Sequence, residues 1–92
     1  GHLRQQANER KSWDGKWRLV AFDIPESKRE QREWFRASLR SAEYHKLQQS
    51  VYVGKWPLPV ALYRDLDRRG LARCVRLLTI GEIDEDIEDL IG

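Results

Sequence analysis

Apolar and polar positions alternate along residues 17–23, with Trp17, Leu19 and Ala21 on one side and Val20 and Phe22 on the other. Both sides are largely apolar, which predicts a central strand buried on two faces and ending on the carboxylate of Asp23. Ile24-Pro25-Glu26-Ser27 reads as a turn. It leads into a helix expected over about residues 27–42, where Ser27 and Glu30 have the spacing of a capping box. Trp34, Phe35, Ser38, Leu39 and Ala42 fall on one face at helical spacing, which places Trp34 in the core. Arg29, Arg32, Arg36 and Arg40 fall on the opposite face as a stripe.

The pattern becomes extended again from Tyr44 to Val53, either as one bent strand or as a tight pair around Gln48-Gln49. Gly54-Lys55-Trp56-Pro57-Leu58-Pro59 is a turn, and Pro59 suits the first turn of a second helix over about residues 59–69. Leu58, Leu62, Leu66 and Tyr63 are its candidate core residues, and Gly70 is placed to end it in a left-handed conformation. Residues 72–80, rich in Val and Leu, read as a last strand. After Gly81, the positions of Ile83, Ile87, Leu90 and Ile91 fit either a short amphipathic helix or a short extra strand. Residues 3–12 are polar with no apolar stripe and read as a linker or the end of a preceding domain.

This order of elements predicts an α+β ferredoxin-like sandwich (βαββαβ) over residues 13–81. Such a fold is an antiparallel sheet with two helices on one face. The other sheet face is then bare and needs a partner, so the expected state is a homodimer.

Charge changes this picture at one end. Glu82, Asp84, Glu85, Asp86, Glu88 and Asp89 supply six of the chain's 15 acids. Residues 1–81 therefore set nine acids against all 17 bases, a balance of about +8. That is the balance of a polyanion-binding body with an acidic tail, residues 82–92. Cys74 is the only cysteine, which excludes an intrachain disulfide and a cysteine-based zinc cluster. It reads as a small core residue in a reducing, cytoplasmic setting. No apolar run approaches the roughly 20 residues of a membrane span. Gly1-His2 reads as a tag remnant, and the polar opening without a methionine reads as a piece of a longer protein.

Asp23 is the sharpest chemical candidate. At the end of a buried strand in a basic neighbourhood, it is either a ligand for a hard cation or a cap on the following helix. One carboxylate alone is too few for such an ion, and a two-fold axis beside it would supply a second. The arginine stripe is either a phosphate-binding surface or a solvated face paired with Glu33. Trp13 and Trp56 lie at strand mouths, placed either to stack on bases or to pack on a neighbouring domain or subunit. His45 and Ser50 form no nucleophile–base pair by spacing, and there is no glycine-rich phosphate loop.

Three stretches together carry a resemblance. Trp13-Asp14-Gly15-Lys16-Trp17-Arg18, then Val20-Ala21-Phe22-Asp23-Ile24-Pro25-Glu26, then Leu47-Gln48-Gln49-Ser50-Val51-Tyr52-Val53 resemble the central domain of PaaX-type transcriptional repressors. Those proteins regulate phenylacetic acid degradation and related pathways. The same domain is similar to the CRISPR-associated protein 2 family, the small ferredoxin-like subunit of spacer acquisition. The resemblance covers residues 13–80. Its repressor branch implies a dimerising or effector-linked module preceded by a winged helix-turn-helix that reads DNA. Its CRISPR branch implies a homodimeric endonuclease acting on RNA or DNA with Mg²⁺ or Mn²⁺. There the strand-end aspartate maps to Asp23 and the serine of the second strand motif to Ser50. The Trp-Asp-Gly-Lys-Trp lead-in and the Pro25-Glu26 turn favour the repressor branch. In one respect the chain departs from the pattern: Glu43 stands where the family often has glycine, at a helix exit where a left-handed backbone costs other residues more.

The expected function is therefore a dimerising module of a PaaX-like regulator that associates with nucleic acid through Arg29, Arg32, Arg36 and Arg40. The alternative is a metal-dependent nuclease using Asp23 and Ser50.

Overall fold

The computed structural model describes residues 12–81; the acidic tail and the polar opening through residue 11 lie outside the described residues. Strand β1 (Trp17–Phe22) sits inside a four-stranded antiparallel sheet of order β2-β3-β1-β4, with β2 His45–Gln48, β3 Val51–Gly54 and β4 Val75–Ile80. Helix α1 (Arg29–Ser41) joins β1 to β2, and helix α2 (Val60–Arg68) joins β3 to β4. This is the expected βαββαβ order. The extended run after Tyr44 resolves into the tight pair, not the single bent strand. Its hairpin carries an irregularity between Lys46 and Gln48.

Alternation along β1 divides the sheet into two faces. Val20 and Phe22 join Phe35 and Leu39 of α1, Leu62 and Leu66 of α2, and Tyr44, Tyr52, Leu58, Leu71 and Val75 in one core. Phe22 anchors it, with its ring edge-on to Phe35 at 5.1 Å and tilted against Tyr52 at 6.0 Å. Leu58, Leu62 and Leu66 are buried as expected, but Tyr63 is 44% exposed because it lies one position off their face.

Helix α1 starts later than its sequence suggested. Pro25 has a backbone already set for a turn (φ −56°), and the Lys28 amide closes a 3-10 turn, Glu26–Lys28, onto the Pro25 carbonyl at 2.9 Å. Ser27 is consumed inside that turn, so no capping box forms, and the start of α1 has no side-chain cap. Trp34 is a second correction. It is partly buried at the edge of the core, and the Arg69 guanidinium lies 3.8 Å from its ring centre. The last strand also begins late, since residues 72–74 form a 3-10 turn. Pro59 precedes α2 as its N-cap residue instead of opening its first turn.

Both helices leave through the same hydrogen-bond pattern. The Gly70 amide bonds to the Asp67 carbonyl (3.0 Å) and the Leu71 amide to that of Leu66 (2.8 Å), with Gly70 at φ 72°. The Glu43 amide bonds to the Arg40 carbonyl (3.0 Å) and the Tyr44 amide to that of Leu39 (2.9 Å), with Glu43 at φ 66°. These are Schellman ends. The second is built on a residue with a Cβ, which costs about 1–2 kcal/mol in the left-handed region. Tyr44 then enters the core, and its hydroxyl donates to the Trp56 carbonyl at 2.6 Å. A Cβ on Gly54 would sit 2.6 Å from the Tyr44 ring, so only glycine fits at the end of β3.

Three outcomes follow. Gly54→Ala is expected to lower stability in urea unfolding by about 1–3 kcal/mol through overpacking. Glu43→Gly is expected to raise it by about 1 kcal/mol, because the left-handed strain disappears. The Tyr44 phenol is pushed up from 10.0 to about 12, chiefly by burial. Its contribution is therefore intact below pH 10 and is lost as pH rises through about 12. Alkaline unfolding followed by circular dichroism should show this loss in the parent and not in Tyr44→Phe.

Candidate functional site

The lead-in to β1 folds back on itself. Gly15 takes φ 82°, and Asp14 turns to accept the Lys16 amide at 3.0 Å. The same carboxylate takes both guanidinium nitrogens of Arg18, at 2.9 and 2.7 Å. Arg18 also donates to the carbonyls of Lys16 (3.0 Å) and Lys55 (2.7 Å), which ties the start of β1 to the exit of β3. The Arg18 hydrogen bonds hold the Asp14 carboxyl below its usual range, and Asp14 in turn raises Arg18. Trp13 packs edge-on against Trp17 at 5.1 Å and donates to the Lys16 carbonyl at 2.8 Å. The Lys55 ammonium lies 4.9 Å from the Trp13 ring centre and 5.5 Å from that of Trp17. Trp13 is thus engaged within its own domain.

The cross-strand register defines the open face. Trp17 pairs with Ile80, and Leu19 lies between Val53 and Leu78. Ala21 lies between Val51 and Arg76, and His45 pairs with Val53. Trp17 and Val53 form a small second cluster with Trp13 and Ile80 against it. Leu19, Ala21 and Val51 are only half-buried, and Leu78 is 57% exposed. No described helix covers this apolar strip.

The far end of β1 gathers the sequence-predicted chemistry. The Phe22 amide donates to the Ser50 carbonyl at 3.0 Å, and the Asp23 amide to that of Cys74 at 2.8 Å. Asp23 and Ser50 therefore share one end of the sheet. The Asp23 side chain is exposed and does not cap the following helix, since no side-chain cap bond forms there. It lines a groove of about 360 Å³ with Ala21, Phe22, Arg73, Cys74 and Arg76. Among the described residues, no three carboxylates, histidines or cysteines come together. One copy thus presents a single carboxylate in a groove shared with two arginines, which does not fit a divalent cation.

The arginine stripe is divided by its surroundings. Arg32 and Arg36 are laid against the protein, with side chains 19% and 15% exposed. Arg32 pairs with Glu26 and Arg36 with Glu33, each at 3.3 Å. Arg36 also reaches the Gln49 carbonyl at 3.3 Å and lies 5.9 Å from the Phe22 ring centre. The buried Nε groups of both have no hydrogen-bond partner. Arg29 and Arg40 are exposed, Arg40 beside a groove with Glu43, His45 and Lys46. Arg73 and Arg76 escaped the sequence reading because they flank Cys74 in a run that reads as strand. Their spacing of three, at the junction of a 3-10 turn and a strand, was the available signal.

A family model described as the PaaX protein central Cas2-like domain matches residues 10–89. No curated protein and no solved structure gives a significant match.

Proposed function

The chain belongs to the PaaX central Cas2-like domain family, and from that membership we propose that it is the dimerising module of a PaaX-like transcriptional regulator, with nucleic acid held along its basic side. Residues 13–81 make up the module, and DNA reading lies in a winged helix-turn-helix elsewhere in the protein. The observation that supports this reading is the open sheet face. Leu19, Val51, Leu78 and Ile80 form an apolar strip that the two helices leave to solvent, and Leu78, on the edge strand β4, stands at 57% exposure. A second copy is the simplest cover, because a two-fold axis sets the same strip against itself. Sheets packed face to face lie about 10 Å apart, close enough for these side chains to interdigitate.

Removal of one apolar centre by a charge tests the reading. In sedimentation at on the order of tens of micromolar, the parent chain is expected to run as a dimer. Leu78→Glu, at an exposed position that the monomer does not need, is expected to run as a folded monomer. A monomeric parent at that concentration overturns the proposal.

A further inference from the structure

The groove at the tip of β1 differs from the arginine stripe in the state of its charges. Arg73 lies in the 3-10 turn Ala72–Cys74 and Arg76 is the second residue of β4, so both reach the end of the sheet where Asp23 leaves β1. Arg76 is held in place by the backbone just before it: one terminal nitrogen donates to the carbonyls of Arg73 (3.0 Å) and Val75 (3.2 Å). Neither arginine has a carboxylate partner among the described residues, and Asp23 pairs with neither. Arg32 and Arg36 already have Glu26 and Glu33 at 3.3 Å, and an incoming phosphate would have to displace them. The floor of the groove, Ala21, Phe22 and Cys74, is close to uncharged. Its volume of about 360 Å³ is near the lower end of ligand sites, about 300–1,000 Å³.

We propose that Arg73 and Arg76 form a backbone-phosphate seat for nucleic acid at the end of the sheet, distinct from the helix stripe. This rests on the reading that the domain holds nucleic acid. Guanidiniums suit the role because they present several donors in one plane to phosphate oxygens. Asp23 acts within the seat as a negative counterweight that weakens anion binding.

The test is anisotropy with a labelled 20-base-pair DNA duplex of arbitrary sequence, in EDTA and across a salt series. Arg73→Glu is the cleaner variant, since that side chain supports no described contact. Arg76→Lys keeps the charge and loses the planar fork. Arg73→Glu is expected to weaken binding roughly tenfold and to lower the salt slope by about 1. Arg76→Lys is expected to weaken it by a smaller factor. Asp23→Asn is expected to tighten binding severalfold without any metal. If Arg73→Glu and Asp23→Asn bind like the parent while Arg29→Ala plus Arg40→Ala binds worse, the seat is overturned and the stripe stands. If the parent binds no DNA, the nucleic-acid reading itself fails.

Discussion

The structure depends on β1 being paired along both edges and packed against the helices on one face. Its register with β3 and β4 satisfies its backbone groups on either side. Val20 and Phe22 then commit one face to the helices, while Trp17 commits the other to the small cluster with Val53. A shift by one residue would exchange those two sets and place Phe22 on the bare face. The connections follow from this one placement. Each helix must carry the chain past a central strand and back to a position beside it, so both helices end on the Phe22 side. The opposite side is left to Leu19, Val51, Leu78 and Ile80.

Much of this was legible because the apolar periods are strong. The double-sided apolar run of β1, the two leucine-bearing helices and the Gly70 exit each announce themselves locally. What was not legible depends on tertiary neighbours. The turn set by Pro25 absorbed Ser27 before it could cap, and a capping-box spacing does not reveal such competition. Trp34 has the spacing of a core residue, yet it lies at the edge of α1's core face, where the Arg69 guanidinium can stack on it. The arginine stripe is real as a spacing. The sequence could not show that Glu26 and Glu33 would answer two of its members, nor that Gln49 would come within reach of Arg36. Arg73 and Arg76 show the reverse case. Two unremarkable positions become a charged pair because strand order brings the end of α2's connection beside Asp23.

The domain thereby separates its surfaces by chemistry. The open sheet face is apolar from Leu19 to Ile80 and suits association, and Arg76 and Asp23 bring charge to its end at the tip of β1. Family membership places the domain among PaaX central Cas2-like domains. Asp23 retains the position of a strand-end carboxylate, but Arg73 and Arg76 line the same groove. Within one copy the electrostatics there favour an anion near the arginines over a divalent cation on the acid.

The clamp between Asp14, Arg18 and the Lys55 carbonyl has a mechanical consequence. The head of β1 and the tail of β3 are adjacent ends of antiparallel strands, and Arg18 fastens one to the other. The same end of the sheet holds the last residue of β4, since Trp17 pairs with Ile80. A pull between residues 17 and 80 would therefore peel β1 from β4 one ladder bond at a time, while the Arg18 clamp keeps β1 fastened to β3. The clamp thus sets which neighbour β1 would lose first.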